Sequence, residues 1–387
     1  VAALAGGRVV IIGGGIVGAS IAYNLSIRGY RDVTVIERNL VGEGATARAT
    51  GGIRHQFSAR VNIELVQRSM PFWTEFEERT GSRLQFRRHG YLFLISDPAV
   101  FGTFRANAEL QKSLGVQVEI LDPAHVSGVF PGIRTDDLVG ATYTPGDGSA
   151  SPADAVAGYL RAARANGTNV HQQSHFIGLR TDRYGAVQAV QTSDGIVEAE
   201  QVIIAAGPQS RTVGRQCGVD IPVFPHSRQA FTTAPIEALN GSMPLTVDMA
   251  TGAYVHPEAN GATAVIGGND RDVPSSEVAQ VDWSRVSGLA EALSNRFPVL
   301  ENLEIVRGWA GLREMTPDDH AIVGPVDAVP GLWVAAGFSG HGFMQSPAVG
   351  EALAQWLLDG SPDLDLDPLR LERFGGRTAA ALETAVF

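Results

Sequence analysis

A chain of 387 residues, 44% hydrophobic and 18% charged, is long enough for two folded domains and too apolar to be disordered. Its net charge of −11 argues against nucleic acid or an anionic membrane surface as a partner, and a single cysteine, Cys217, excludes a disulfide framework or a thiolate-rich metal site. No apolar run reaches the ~18 residues of a membrane span, and the opening apolar stretch flows straight into a motif, so a cytoplasmic protein without a structural metal is expected.

The first predicted element is the β-branched run Val9–Ile12, the pattern of a strand buried on both faces of a parallel sheet. Gly13, Gly15 and Gly18 follow as G-x-G-x-x-G. From Ile16 and Val17 the period becomes helical as far as Arg28, with Ile21, Ala22 and Leu25 inward. "VTVIE" is a second strand ending on Glu37, 19 residues after Gly18, with Arg38 beside it. A lone glycine fingerprint matches many tight turns by chance. Here strand, glycines, helix, second strand and terminal acid come in order, which is the context of a dinucleotide site: pyrophosphate on the helix N-terminus, ribose hydroxyls on Glu37. The motif alone leaves NAD and FAD open.

The stretch "GEGATARATGGIRHQFS", residues 42–58, reads either as a solvated loop or as one lying along the cofactor. In the second reading Ala45, Thr46, Thr50, Gly51 and Gly52 offer backbone groups and Arg48 its charge. A helix is predicted over 59–80, where Val61, Leu65, Phe72, Trp73 and Phe76 form an apolar stripe that belongs to the core. "RRHGYLFLIS" predicts a long antiparallel strand. Ser151 and Pro152 open another helix as cap and first residue, and "HFIGLRTDRYGAVQAVQTSDG" alternates like a small antiparallel meander. "VIIAAGP" is a buried strand that turns at Ala206 and Gly207 into a helix, and "AYVHPEANGATAVIGG" predicts long antiparallel strands about a Glu258-Ala259-Asn260-Gly261 turn. Near the C-terminus, "AAGFSGHGFMQSPAVGE" is a strand end, a loop with Gly337, Gly340, His341 and Gly342, and a helix start carrying Phe343 and Met344. Glycines are costly in unfolded-state entropy, so such a loop implies close approach to its backbone. Two glycine loops more than three hundred residues apart then grip opposite ends of one long cofactor. The predicted fold class is α/β: a Rossmann-like domain from 1–85, 150–222 and 315–387, interleaved with a substrate domain on an antiparallel β-sheet from 86–149 and 223–314.

The fingerprint, "VIIAAGP", "GAYVHP…AVIGG", "WAGLREMTPDDHAIVGP" and "AAGFSGHGFMQSPAVGE", in this order along nearly the whole chain, resemble the FAD-dependent D-amino-acid oxidase superfamily. Within it they are similar to glycine oxidase, monomeric sarcosine oxidase and the sarcosine oxidase β subunit. The resemblance implies FAD, with the last loop and its helix closing over the pyrimidine end of the flavin. N–H groups of 340–343 and a helix N-terminus worth about half a positive charge favour an anionic reduced flavin there. It also implies oxidation of the C–N bond of a small amino acid or N-methyl amino acid, sarcosine-like, to an imine that hydrolyses. Electrons pass to O₂ or another acceptor. Such chemistry asks the protein for positioning and electrostatics. Arg313 falls where glycine oxidase-like sequences carry a carboxylate-binding arginine, Arg54 where sarcosine oxidases carry one, and Tyr254 on the roof strand that lines the pocket. A guanidinium fork meets both carboxylate oxygens; the plain alternative for either arginine is a surface ion pair. His341 either packs or caps, or takes part in the chemistry.

Departures from the sarcosine oxidase pattern carry their own implications. Gly311 stands where some of those enzymes link a cysteine to the flavin, so non-covalent FAD is expected, with His55 and His341 as other conceivable attachment points. Met344 replaces a carboxylate-binding lysine, and the lysine that promotes reaction with oxygen falls near Val265; Lys112 is the only lysine in the chain. Alternatives within the same frame are a glycine or D-amino-acid oxidase, one subunit of a hetero-oligomeric dehydrogenase, a flavoprotein with a structural role, and an NAD(P)H-dependent monooxygenase. Monomer and hetero-oligomer subunit both stay open.

Overall fold

The computed structural model describes residues 7–258, 261–268, 270, 272–375 and 382–385. Val9–Ile12, with no residue more than 4% exposed, lies inside a six-stranded sheet. It pairs in parallel with Val33–Ile36 on one side and Gln201–Ile204 on the other, Val9 lying opposite both Val33 and Gln201. Asn169–His171 extends one flank in parallel. Leu332–Ala336, also parallel, and the antiparallel Ile322–Pro325 extend the other. Parallel neighbours need long crossovers, which is why this sheet gathers strands from widely separated stretches of chain.

Helix Ile16–Ile27 follows the first strand and packs against helices Pro152–Ala165 and Gly342–Asp359. Ser151 caps its helix as predicted, accepting from the Asp154 N–H at 3.3 Å, with Pro152 in the first turn. The helix predicted over 59–80 is in fact two, Arg60–Thr74 and Phe76–Thr80. The helix runs on past Pro71 to Thr74, and at Glu75 the backbone leaves helical geometry (φ −105°, ψ 16°). The break turns Phe76 edge-on to Phe72 at 5.5 Å, while Phe72 stacks on Tyr159 at 5.0 Å. The aromatic stripe is core.

The second sheet has eight strands in the order Ile305–Met315, Phe224–Thr233, Ala264–Gly267, Tyr254–Pro257, Leu245–Asp248, Tyr91–Ile95, Gly140–Thr144, Glu119–Leu121. All its pairings are antiparallel except Tyr91–Ile95 with Leu245–Asp248. Several strands predicted to be long are short: Tyr91–Ile95 has five residues, Tyr254–Pro257 and Ala264–Gly267 four each. The first starts only after Gly90, whose φ of +86° turns the chain, while Arg87 makes an isolated bridge to Ser149. Ala259 and Asn260 of the predicted turn lie outside the described residues. The long strands are Phe224–Thr233 and Ile305–Met315, which pair along nearly their whole length. The meander forms as Phe176–Thr181, Val187–Thr192 and Gly195–Glu198. Among the described residues no helix is long and apolar enough to cross a membrane.

Candidate active site

One elongated cavity of about 470 Å³ runs from the C-terminal ends of the parallel strands to the face of the second sheet, the place where open α/β sheets bind ligands. Gly13, Gly15, Ile16, Val17, Glu37 and Arg38 line one end. The Glu37 carboxylate accepts from the N–H groups of Gly14 and Asn39, both at 2.8 Å, which leaves lone pairs for a ribose diol. Gly18 lies behind the wall. A Cβ there would sit 2.0 Å from the Gly13 carbonyl oxygen, so the third glycine lets helix close on strand and does not touch a ligand.

Ala45, Thr46, Arg48, Thr50, Gly51 and Gly52 form one side wall, Ala206 and Gly207 the facing one. Thr46 Oγ1 accepts from the Ile16 N–H at 3.1 Å, tying loop to helix. The Arg48 guanidinium is turned onto the carbonyls of Glu43 and of Gly44, the latter at 2.9 Å. The phosphate contact predicted for it is therefore not preformed.

Arg313, Tyr254, Arg54, His341, Gly342, Phe343 and Met344 come together at the far end. Gly340 has φ +95°, and a Cβ there would lie 2.8 Å from Arg313 Nε. Glycine thus allows both the left-handed turn and the guanidinium lying against it. Burial pushes the Tyr254 phenol up to about 12, with nearby Arg313 pulling it back, so it is a neutral donor. Arg54 is 2% exposed. It donates to the carbonyls of Gln56 and of Ala385, the latter at 2.7 Å, and stacks 4.2 Å over Phe57. His341 Nε2 lies 3.4 Å from the Arg54 guanidinium and its ring meets Phe57 edge-on at 4.7 Å. Burial first, then Arg54, Arg313 and His320, hold its pKa well below the ordinary value, so the imidazole is neutral and its Nε2 accepts. The ring packs but makes no cap bond at the start of helix Gly342–Asp359. The His341 N–H is already bonded to the Phe338 carbonyl at 2.9 Å, which removes it from the donors predicted for the flavin. His55 is not in the cavity wall; its Nδ1 holds the buried Asp147 at 2.5 Å.

Residues 8–356 match the model of the family described as FAD dependent oxidoreductase. The chain belongs to that family. It is 29% identical over 380 residues to human mitochondrial sarcosine dehydrogenase, covering 95% of this chain and 41% of that protein. It spans less than half of the first curated relatives it matches. Glycine oxidase of Geobacillus kaustophilus is 29% identical over 382 residues, covering 95% of this chain and 97% of that one. The crystal structure of L-proline dehydrogenase from P. horikoshii superposes with a TM-score of 0.90 at 31% identity, covering 96% and 98% of the two chains.

The cavity fits the family's cofactor on two observations. Neither helix whose N-terminus reaches it, Ile16–Ile27 or Gly342–Asp359, has an acidic residue in its first turn, so both positive ends are available to an anion. Glycine backbone lines it at both ends, as an FAD-dependent oxidoreductase requires for close approach. Gly311 and Met344 also line it, whereas Val265 does not. Lys112 sits on helix Pro98–Ser113, paired with Glu109 at 3.1 Å.

Among the wall residues that the sequence does not single out are Tyr91, Arg228 and Glu314. Glu314 holds the Gly337 N–H at 2.9 Å, so Gly337 also stands behind the wall, supporting the loop. Burial pushes the Glu314 carboxyl up to about 7 against the pull of the Gly337 and Phe338 N–H groups. Its partner on the glycine loop is 23 positions away in sequence, so only the fold reveals its role. Tyr91 had a visible signal, as the first residue of an apolar strand after His89-Gly90.

Proposed function

We propose that the chain oxidises a small secondary or N-methyl amino acid, sarcosine-like, as the FAD-binding part of a dehydrogenase. The observation that carries this reading is the meeting of Arg313 and Arg54 with a neutral phenol and a neutral imidazole at one cavity end. Two guanidiniums in a desolvated pocket suit a substrate carboxylate, and the same charges disfavour an ammonium, keeping the reacting amine in its neutral form. Tyr254 offers a hydrogen bond without adding charge. Bound FAD supplies the electron sink; the residues here bind, orient and exclude water. The dehydrogenase reading is supported by the likeness to sarcosine and L-proline dehydrogenases. A second reading, glycine oxidase, is favoured by the end-to-end match to that enzyme. Anaerobic flavin bleaching with glycine, sarcosine, dimethylglycine, proline and D-amino acids tests both. Bleaching by a secondary or N-methylated amino acid supports the first reading, and bleaching by glycine or D-amino acids alone overturns it.

FAD is expected to be non-covalent, because the cavity offers glycine at 311 and His55 is bound to Asp147 outside the wall. Acid precipitation should release the yellow colour into the supernatant; colour that stays with the pellet would assign an attachment, with His341 the first to examine.

Reoxidation by oxygen is expected to be slow. The first electron transferred to O₂ makes an anion, and a fixed unit charge at about 4 Å with an effective dielectric near 20 is worth roughly 4 kcal/mol, close to a thousandfold in rate. The single lysine is not in the cavity wall, and the fixed cations described there are guanidiniums, whose charge is spread over a planar fork and not concentrated as in an ammonium. Stopped-flow mixing of photoreduced protein with oxygenated buffer measures the rate. A rate matching lysine-bearing oxidases would give that task to Arg48, Arg54 or Arg228, which among the described residues are the wall arginines besides Arg38 and Arg313.

A further inference from the structure

Residues 382–385 pack against the start of helix Arg60–Thr74, more than three hundred positions away in sequence. Glu383 is 1% exposed. Its carboxylate accepts from the Ser58 N–H at 2.8 Å, the Ser58 hydroxyl at 2.5 Å, the Ala59 N–H at 3.1 Å, the Asn62 amide at 2.8 Å and the Ala385 N–H at 3.0 Å. Ala59, at the N-cap, has no side chain that could cap the helix, so Glu383 supplies both the acceptor and the negative charge that a helix start favours. Two residues on, the Ala385 carbonyl accepts from the Arg54 guanidinium at 2.7 Å. Carbonyls orient a guanidinium without cancelling its charge, and the charge of Glu383 favours the Arg54 cation against its burial.

We propose that Glu383 is a positioning residue of the substrate site: by seating residues 382–385 on the helix start it holds the Ala385 carbonyl on Arg54 and so aims the guanidinium at the substrate carboxylate. This rests on the reading of Arg54 as a carboxylate ligand. A cap alone would govern folding; a positioning residue also governs substrate affinity, because a carboxylate clamp works only within narrow geometry.

The test uses the full, FAD-loaded chain and whichever amino acid bleaches the flavin, with acetate as a non-reacting carboxylate probe read from the flavin spectrum. Glu383→Gln should raise KM and the acetate Kd roughly tenfold or more, with kcat and FAD affinity within about twofold. Glu383→Asp should recover part of the loss. Ser58→Ala keeps the carboxylate and the helix N–H bonds but removes the hydroxyl bonded to Glu383 and to the Thr384 N–H at 2.9 Å, so it should shift KM in the same direction by less. Arg54→Gln, run in parallel, separates the two ideas. If it raises KM and Glu383→Gln does not, the proposal is overturned while the reading of Arg54 stands. If Arg54→Gln changes neither KM nor acetate binding, that reading falls and the proposal with it. Joint loss of folding and FAD binding in Glu383→Gln and Ser58→Ala would make Glu383 purely structural and also overturn it.

Discussion

Replacing Arg313 by alanine should lower kcat/KM on the amino-acid substrate by roughly thirty- to several-thousandfold while FAD remains bound. Removing one side of a desolvated charge pair costs roughly 2–5 kcal/mol, much of it from leaving the other charge buried and uncompensated. The geometry makes the site unforgiving. Gly340 brings loop backbone so close that even a Cβ there would press on Arg313 Nε at 2.8 Å, so the guanidinium has a shaped berth. Arg313→Lys should not fully rescue, since an ammonium lacks the planar fork that meets both carboxylate oxygens. The Tyr254 phenol, which Arg313 now pulls downward, should titrate higher still in the alanine variant. Steady-state kinetics with the best substrate, and flavin content measured on the same preparations, check both halves. Near-normal efficiency on amino acids would move the carboxylate to Arg54.

The dinucleotide end was the legible part of this site, and the reason is local. Gly13, Gly15, Gly18 and Glu37 sit in one continuous strand–turn–helix–strand unit, so their spacing already encodes their geometry. Even there, spacing could not distinguish Gly15, in the wall, from Gly18, behind it, because both meet the same need for close backbone approach. At the far end, Arg313, Tyr254 and His341 were reached through family resemblance, since their neighbourhood is made by chain segments far apart. Arg54 on the Ala385 carbonyl and Glu314 on the Gly337 N–H are contacts that no periodicity announces. Arg48 shows the opposite failure. A charge in a glycine-rich loop suggests a phosphate ligand, yet the same short loop offers carbonyls near enough to hold that charge. Element boundaries failed at Glu75, where one expected helix becomes two, and at Gly90, whose φ of +86° delays a strand expected from Arg87.

Glu314 provides the second large expected effect, a pH dependence of stability that glutamine at this position should abolish. The folded protein holds its carboxyl at about 7 against an ordinary 4.5, chiefly because the group is buried. Below about pH 4.5 both folded and unfolded states carry the proton, and the contribution of this residue is fully present. Between about pH 4.5 and 7 the unfolded chain releases the proton while the folded protein keeps it, so the contribution falls by ~1.4 kcal/mol per pH unit. Above about 7 the folded state ionises too and the slope disappears, leaving a total loss of roughly 3 kcal/mol. Glu383 and Asp318, whose pKa values are held down, act with the opposite sign and at lower pH, where they are protonated in the unfolded chain first. The quantity to follow is therefore the difference between Glu314→Gln and the parent chain in urea unfolding across this range. That difference should shift in favour of the variant as pH rises, since the amide keeps an oxygen for the Gly337 N–H but has no proton to lose. Parallel curves for the two proteins would mean that Glu314 ionises at an ordinary pKa, and that its hold on the glycine loop is that of a carboxylate at neutral pH.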